Sequence, residues 1–471
     1  MNTISQMFVC VQAFLLLSAG LTAASEPGAR KPNIILIMAD DASDTVFGSY
    51  GYSHFSTPKL DALAREGLRF NHCYSVNLCV PTRVEILTGK YSHRNFLGKG
   101  TLAKGERTIA HVLQTQGYRT CLAAKWQVSV RHGQKPAEAG FDQWCYNAGP
   151  ADFYWDPKID QDGKIRSLPG EYGPDVYLDY VCQFVEDNRD RPFFVFYAMH
   201  LPHGPNHWPP APDGSRPDLP NPDDPLAQYE KMVAYCDGLV GRLLQQLDEL
   251  QLREETIVLF TSDNGTPQYI THPHLGGSIT GGKGLVSDSG TKVPLLVSWK
   301  GQTPKGTVTD DLVDFADLFA TFAEAADAPI AAEALDGVSF LPQIQGRPGK
   351  PRPWAFVFGS SNQGQPRDGF WARDQRWKLY GDNTLIDIAH DPHETNPIMP
   401  ADDTNETESV RKRLEPVFRQ LKVPTREVRL RHRSHKTYHE DVQLSDQELR
   451  RLALWMDNAA LFASECMQLD K

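Results

Sequence analysis

The sequence predicts an α/β fold, with a large, mainly parallel sheet flanked by helices and a smaller antiparallel sheet nearer the C-terminus. Two patterns lead to this prediction. Uninterrupted apolar runs, such as residues 33–39 and 256–261, are typical of strands that are buried on both faces. Segments with apolar residues at helical spacing separate these runs, as expected of helices that cover a parallel sheet. Ligands of such sheets bind beyond the carboxyl ends of the strands.

The predicted elements of the large sheet follow in chain order. After the strand at 33–39, Thr57 and Pro58 are predicted to cap a helix that carries its apolar face on Leu60, Leu63, Ala64 and Leu68. Another strand is predicted at 192–197. The next helix has an apolar stripe formed by Met232, Cys236, Leu239, Leu243, Leu247 and Leu250. It leads into the strand at 256–261, and a further strand is predicted at 293–299.

The C-terminal third has a different character. A stretch rich in Gly and Pro at 345–353 indicates a linker, and strand-like runs at 354–358 and 369–380 predict the small antiparallel sheet. The basic segment 426–436 is predicted to be solvated, and 449–461 is a candidate terminal helix. These features divide the chain into a signal peptide (1–24), a main domain (25–345), a small C-terminal subdomain (346–425) and a C-terminal extension (426–471).

Composition and the N-terminus limit the possible environments. The formal net charge of −11 over 471 residues argues against a general nucleic-acid binder. Residues 7–21 are almost all apolar and Thr22 to Ala24 are small, which places a mature start near Ser25. Residues 1–6 lack Lys and Arg, so an uncleaved membrane anchor is the alternative, although no stable membrane insertion is expected. The protein is predicted to be exported: periplasmic or secreted if bacterial, secreted or lysosomal if eukaryotic.

Oxygen-rich residues follow two of the predicted strands. Asp40 and Asp41 come directly after the first strand, and Asp263 and Asn264 follow the strand at 256–261. Carboxylate and amide oxygens are the ligands that Ca²⁺ and Mg²⁺ prefer. Either pair alone could simply cap the next helix or turn. Because the carboxyl ends of parallel strands meet at one edge of a sheet, the two pairs together favour a metal site.

The most specific motif is Leu-Cys-Val-Pro-Thr-Arg at 78–83, followed by Leu-Thr-Gly-Lys-Tyr at 87–91. With these residues the sequence resembles the sulfatases, enzymes of the alkaline phosphatase superfamily. Cys79, Pro81 and Arg83 match the family's C-x-P-x-R signature, and Thr82 stands where Ser is commoner. A lone match would be weak. Further motifs of the family match in order along most of the chain, at 31–33, 124–126, 202–205, 261–265, 281–284, 335–339 and 391–394.

The resemblance implies an alkaline phosphatase-like fold, a catalytic sulfatase domain at 25–345, and hydrolysis of aryl or carbohydrate sulfate monoesters. In this family a formylglycine-generating enzyme oxidises the signature cysteine during synthesis, so Cys79 is expected to become formylglycine. One hydroxyl of the hydrated aldehyde, bound to the metal, would attack the sulfur. Deprotonation of the other hydroxyl would then expel sulfate and restore the aldehyde.

The resemblance also assigns roles to individual residues. The implied ligands of one divalent cation, with Ca²⁺ favoured over Mg²⁺, are Asp40, Asp41, residue 79, Asp263 and Asn264. Arg83 is implied to stabilise the hydrated aldehyde. Lys125, His203 and Lys283 are implied to contact the sulfate, because fixed cations and donors stabilise charge on its oxygens. His203 or Lys283 could also protonate the departing oxygen.

One position departs from the family pattern. Many relatives read Gly-Lys-Trp-His where this chain reads Ala-Lys-Trp-Gln, so Gln127 replaces a histidine that is expected to help sulfate release. A neutral amide is not a general base. Either another group performs this step, with Lys125, His272 and His274 as candidates, or release is slow.

Two other functions are compatible with the sequence. The chain could be a phosphatase or phosphonate monoester hydrolase of the same superfamily, or a catalytically silent relative that binds sulfated glycans.

The cysteines that follow the signal are sparse and do not indicate a disulfide scaffold. Several aromatic residues could form a platform for sugar rings or could pack beneath long loops, namely Trp144, Tyr146, Phe153, Tyr154, Trp155 and Trp208.

Overall fold

A computed structural model describes most of the chain between residues 30 and 423. The described ranges are 30–95, 101–128, 133–149, 153–204, 208–211, 213–217, 224–274, 277–330, 335–359 and 369–423. The predicted signal peptide (1–24) and C-terminal extension (426–471) lie outside them. None of the helices in these ranges has both the length and the apolar character needed to cross a bilayer.

Strands are numbered in chain order. They are β1 (Asn33–Ala39), β2 (Leu68–Tyr74), β3 (Arg119–Ala124), β4 (Gln143–Asn147), β5 (Lys158–Gln161), β6 (Lys164–Ser167), β7 (Phe193–Ala198), β8 (Thr256–Ser262), β9 (Thr271–His274), β10 (Gly277–Thr280), β11 (Leu295–Trp299), β12 (Thr307–Asp314), β13 (Ala355–Phe358), β14 (Phe370–Arg373), β15 (Trp377–Tyr380) and β16 (Leu385–Asp387).

The α-helices are numbered in the same way. They are α1 (Pro58–Glu66), α2 (Cys79–Thr88), α3 (Ser92–Asn95), α4 (Ile109–Thr115), α5 (Gly173–Asp187), α6 (Pro225–Glu249), α7 (Asp288–Thr291), α8 (Ala316–Ala325), α9 (Leu341–Ile344) and α10 (Asn405–Gln420).

The large sheet is mainly parallel, as predicted. Its ten strands lie in the order β12–β2–β11–β8–β1–β7–β3–β4–β5–β6. Strands β8, β1, β7, β3 and β4 run parallel to one another. By contrast, β11 runs antiparallel to both of its neighbours, and β5 and β6 form an antiparallel edge. The parallel centre therefore directs several strand ends towards the same edge.

Both faces of β1 are covered by helices, which explains its uninterrupted apolar sequence. Ile35 and Ile37 lie in a core with residues of α1, α5 and α6. Ile34 and Leu36 lie in a second core with residues of α2, α4 and α8. Since neither face meets water, every residue of the strand after Asn33 is apolar.

Because of their register, the central parallel strands have their carboxyl ends at nearly the same height in the sheet. Ala39 of β1 lies opposite Ser262 of β8. Ala198 of β7 lies opposite Met38 of β1 and Ala124 of β3. The residues that directly follow β8, β1, β7 and β3 therefore emerge side by side, where ligands of parallel sheets bind.

The small sheet is an antiparallel meander in the order β13–β14–β15–β16, as predicted. Helix α10 covers it, with Val417 packed against Phe356 and Phe370. One residue of the predicted linker at 345–353 is packed against the main domain. Arg352 is buried and forms ion pairs with Asp314 and Asp317. The domain boundary at 345/346 stays a prediction.

Two local expectations about α1 are wrong. The helix begins with Pro58 as predicted, but the Thr57 hydroxyl accepts a hydrogen bond from the Gly48 N–H at 3.2 Å instead of capping the helix. Leu68 does not extend the helical face, because it begins β2. At Gly67 a Cβ would lie 2.1 Å from the Val297 carbonyl oxygen, so the chain passes too close to β11 for the helix to continue there.

Candidate active site

The two oxygen-rich pairs meet at the end of the large sheet. Asp40 and Asp41 follow β1, Asp263 and Asn264 follow β8, and all four side chains are buried. The Asp41 backbone N–H donates to Asp263 Oδ1 at 3.1 Å, and Asn264 Nδ2 donates to Asp41 Oδ1 at 2.7 Å. The pairs are adjacent because β1 and β8 are parallel neighbours that end in register.

Three cations face the three carboxylates. Lys125, which follows β3, donates through Nζ to Asp40. Arg83 Nη2 lies 2.8 Å from Asp263 Oδ2. Lys283 Nζ lies 2.7 Å from Asp41 Oδ2. Arg83 and Lys125 are almost completely buried, so each charge is held in place by its ion pairs.

These neighbouring charges, together with burial, shift the pKa values of the side chains in the site. Burial alone would raise the pKa of Asp40, but Lys125, His203 and Arg83 hold it below its ordinary value. Burial and the neighbouring Asp40 charge raise the pKa of Asp263 to about 7. Although burial lowers the pKa of a lysine, Asp40 keeps that of Lys125 above its ordinary value. The carboxylates are thus crowded enough that a further cation among them would be favourable.

Two buried oxygens at the site fit a metal ion. Asp40 Oδ1 and Asn264 Oδ1 have no hydrogen-bond partner among the described residues. Ligand atoms of Asp40, Asp41 and His203 all lie within 4.8 Å of one another. Carboxylate and amide oxygens suit a hard divalent cation, which would give the unpartnered oxygens a partner. His203 was not among the predicted ligands, and its Nε2 lies 3.8 Å from Asp41 Oδ2.

Cys79 is the first residue of α2 and is partly exposed. The Thr82 hydroxyl donates to the Leu78 carbonyl at 2.9 Å and stabilises the turn into this helix. Arg83 lies one turn further on, and its Nη1 donates to the Lys125 carbonyl at 3.0 Å. Helix α2 therefore places Cys79 at the mouth of the site and Arg83 within it.

Gln127 lies directly against Cys79. Its Oε1 is 4.0 Å from Cys79 Sγ. The two histidines considered as replacement bases pack elsewhere: His272 contacts Thr45 and Phe55, and His274 contacts Tyr52. Within the described residues no hydrogen bond links either histidine to Cys79.

The loop that carries His203 follows β7 and is held by aromatic residues. The Tyr154 hydroxyl donates to the carbonyls of His200 and His203 at 2.9 and 2.8 Å. The Phe153 ring stacks on His200 with ring centroids 4.7 Å apart. Tyr154 is fully buried. These two aromatic residues therefore position the histidine loop.

The other aromatic candidates also make packing contacts. The indole N–H of Trp155, which is buried, donates to the Trp208 carbonyl at 3.0 Å. Trp144 and Tyr146 both donate to Asp160 at the antiparallel edge of the large sheet. These contacts favour the packing interpretation over a platform for sugar rings.

The Lys283 loop is fixed by residues that the sequence did not single out. The Lys283 N–H donates to the Thr266 carbonyl at 2.9 Å, and the Gly284 N–H donates to the Asn77 carbonyl at 2.9 Å. The Trp371 indole donates to the Val286 carbonyl at 2.6 Å. No local pattern marks Asn77 or Trp371, because each contacts residues that are far away along the chain.

Comparisons with known families agree with this geometry. The family model described as Sulfatase matches residues 32–328, and that described as N-sulphoglucosamine sulphohydrolase, C-terminal, matches residues 282–423. The first match covers more than half of the chain. The chain belongs to the sulfatase family. The predicted family and fold are thus confirmed, and this sulfatase is a hydrolase of sulfate esters.

Curated relatives of this sulfatase match along most of its length. Arylsulfatase A of Bos taurus is 32% identical over 428 residues, which are 82% of this chain and 81% of the relative. N-acetylgalactosamine-6-sulfatase of Canis lupus familiaris is 30% identical over 410 residues, 78% of this chain and 76% of the relative. A protein solved with its substrate D-glucosamine-2-N,6-O-disulfate superposes with a TM-score of 0.70 at 22% identity, covering 83% of this chain and 98% of its own, and supports the fold.

Proposed function

We propose that this sulfatase hydrolyses carbohydrate or aryl sulfate monoesters with a nucleophile made from Cys79. One observation carries the proposal: Cys79 lies at the mouth of a site where Arg83, Lys125 and Lys283 converge on three buried carboxylates. The substrate class is supported by the names of its relatives, which include an arylsulfatase and a sulfatase of an amino sugar.

The environment of Cys79 disfavours the unmodified thiol as a nucleophile. Burial raises the pKa of the thiol; Lys125 and Lys283 oppose this change, while Asp263 and Asp40 act in the same direction as burial. A protonated thiol is a poor nucleophile. Oxidation to formylglycine by a formylglycine-generating enzyme, followed by hydration, would supply one hydroxyl for attack on sulfur and a second for release of sulfate.

The residues at the strand ends would hold one divalent cation, for which Ca²⁺ is favoured over Mg²⁺. Its ligands would be Asp40, Asp41, Asp263, Asn264 and converted residue 79. The cation would supply Lewis-acid activation of the nucleophilic hydroxyl. Arg83 would keep its ion pair to Asp263 and stabilise negative charge on residue 79.

The remaining side chains would bind the sulfate group. Lys125, Lys283 and His203 surround the same end of the sheet, where they can donate hydrogen bonds to sulfate oxygens. His203 or Lys283 would give a proton to the departing oxygen. The amide of Gln127 can form a hydrogen bond to residue 79 but cannot accept a proton as a base. A different group would therefore remove the proton during sulfate release.

The proposal includes export. Residues 1–24 would act as a signal peptide, so the mature protein would be periplasmic or secreted in a bacterium, and secreted or lysosomal in a eukaryote.

The test of the nucleophile combines mass and activity. In protein made together with a formylglycine-generating enzyme, the peptide that contains residue 79 should carry the mass of an aldehyde or its hydrate. Cys79→Ala should reduce kcat for 4-nitrophenyl sulfate by about a thousandfold or more, the scale expected on loss of a nucleophile. Cys182→Ala, a substitution of another partly exposed free cysteine, is the matched control and should keep full activity. Full activity of Cys79→Ala would refute the proposed nucleophile.

Charge distinguishes a sulfatase from a phosphatase or phosphonate monoester hydrolase. Phosphate monoesters carry almost one more negative charge than sulfate monoesters at neutral pH. Among the described residues only one group of three acidic or histidine side chains, Asp40, Asp41 and His203, is compact enough to hold a cation. The site thus has ligands for one metal and three cationic side chains, which suits the smaller charge of a sulfate.

The corresponding experiment compares two substrates with one leaving group. Converted enzyme should have a kcat/KM for 4-nitrophenyl sulfate at least about tenfold above that for 4-nitrophenyl phosphate. A preference for the phosphate would support the phosphatase. Absence of turnover, together with retained binding of sulfated glycans by converted protein, would support the catalytically silent alternative.

A further inference from the structure

An exposed tyrosine lies beside the candidate active site. Tyr269 follows β8 and is 54% exposed. Its hydroxyl lies against Gly204, the residue after His203. A Cβ at position 204 would stand only 2.1 Å from the Tyr269 phenol oxygen, so a side chain there would displace the phenol from its present position. The ring is thereby placed next to the histidine loop.

The segment that carries Tyr269 contacts the Lys283 loop through the preceding residue. The neighbouring residue Gln268 donates from Nε2 to the Lys283 carbonyl at 2.8 Å. Partial burial and the Asp41 charge raise the pKa of the Tyr269 phenol, while Lys283 opposes this change. The phenol therefore lies within electrostatic range of Asp41 and Lys283, two residues at the floor of the site.

No other strongly exposed large apolar residue of the described chain has this relation to the site. Ile165 lies on the edge strand β6, Val308 lies on the outermost strand β12, and Val338 and Met399 lie beyond α8 and β16. The aromatic residues near His203 are engaged in packing, with Tyr154 and Trp155 buried. Tyr269 alone among these combines an open ring face with a position between the two loops.

We infer that Tyr269 contacts the substrate by packing its ring against the sugar or aryl ring that bears the sulfate ester. This inference rests on the proposed function. Lys125, Lys283 and His203 would hold the charged oxygens at the floor, so the ring of the substrate must extend outward past Gly204 and Lys283. An aromatic face at that point offers apolar contact to a ring without requiring any particular sulfate position.

The experiment uses the converted enzyme, 4-nitrophenyl sulfate as the ring-bearing substrate and inorganic sulfate as a ringless inhibitor. Tyr269→Ala should lower kcat/KM about three- to tenfold, mainly through KM, which is the scale of one aromatic contact. Tyr269→Phe should stay within about twofold, because the ring is kept. The Ki of inorganic sulfate should be unchanged in both variants. Ile165→Ala, at a residue that is 55% exposed on β6, is the control and should match the unsubstituted enzyme.

Three results would overturn the inference. They are an unchanged kcat/KM in Tyr269→Ala, an equal loss in Tyr269→Phe, or a Ki for inorganic sulfate that rises in parallel with KM. The last would mean that Tyr269 only supports His203 or Lys283. Failure of the proposed function is distinguishable, because the unsubstituted, converted enzyme would then not hydrolyse the aryl sulfate, and the inference would fall with it.

Discussion

Asp40 and Asn264 each carry a buried side-chain oxygen that lacks a hydrogen-bond partner among the described residues. Leaving such an oxygen unsatisfied costs about 1–3 kcal/mol, so a bound partner for either oxygen would be stabilising. A cation bound at the ends of β1 and β8 would provide such a partner. The ligand set can therefore be tested without reference to catalysis.

Substitution of Asn264 should remove the metal. Asn264→Ala deletes one oxygen ligand and the hydrogen bond to Asp41, so we expect metal content to fall from about one equivalent to well below half. Activity towards 4-nitrophenyl sulfate should fall about a hundredfold or more. Elemental analysis after gel filtration measures the first quantity, and initial rates measure the second.

Asn188→Ala is the matched control for this substitution, because Asn188 is also a buried asparagine and its side chain donates to the Phe184 carbonyl near the end of α5. It should keep the metal and the activity. If Asn264→Ala retained a full equivalent of Ca²⁺ or Mg²⁺ and normal rates, the ligand assignment would be wrong.

Among the secondary-structure elements, the small sheet forms direct contacts with the loop that carries Lys283. Trp371 of β14 donates to the Val286 carbonyl. Lys378 of β15, fully buried, pairs with Asp288 and with Glu394, and Glu394 also accepts from the Asp288 N–H at 2.9 Å. The segment from Val286 to Asp288 is thus held by residues of the small sheet and by Glu394.

This arrangement predicts that a change in the small sheet loosens the Lys283 loop. Trp371→Phe removes the indole donor and keeps an aromatic ring, which leaves the Val286 carbonyl unsatisfied. We expect faster hydrogen exchange of amides at 282–291 and a KM for 4-nitrophenyl sulfate raised about threefold or more, with unchanged metal content.

Trp377→Phe serves as the control, because Trp377 is a buried tryptophan in the same sheet that packs towards α10. Exchange at 282–291 should stay at the unsubstituted level in this variant. Equal exchange in both variants would mean that the contact between Trp371 and Val286 does not restrain the loop.

At the scale of the whole molecule, folding stability should depend on pH through His72 in β2. Burial lowers the pKa of His72 to about 4, and Arg373 and Lys292 act in the same direction against Asp288 and Asp310. The unfolded chain binds this proton near pH 6.5. Stability is therefore fully present above pH 6.5 and is lost as the pH falls towards 4.

Replacement of His72 by glutamine should reduce this loss. Between pH 7 and pH 5 the free energy of unfolding of the unsubstituted protein should fall by about 1–2 kcal/mol more than that of His72→Gln, measured by urea unfolding. His393→Gln, at an exposed histidine, is the control and should follow the unsubstituted protein. Identical pH profiles for His72→Gln and the unsubstituted protein would refute the assignment.

Local features of the sequence were sufficient to predict the fold class and the family, and they also led to the proposed site residues. These features are local: strands without polar alternation, a contiguous C-x-P-x-R segment, and acidic pairs that directly follow β1 and β8. The wrong prediction for Leu68 also came from a local pattern. Leu68 has the spacing of a helical apolar face, but in the structure it begins β2, and the preceding Gly67 lies close to Val297.

How distant segments meet is visible in the three-dimensional structure alone. The level ends of β8, β1, β7 and β3 bring Asp263, Asp40, His203 and Lys125 together, although they are separated by up to 223 positions, as between Asp40 and Asp263. The support of Val286 by Trp371 and the contact of Tyr269 with Gly204 have no sequence pattern at all. Such contacts depend on strand register and loop packing, which no local periodicity encodes.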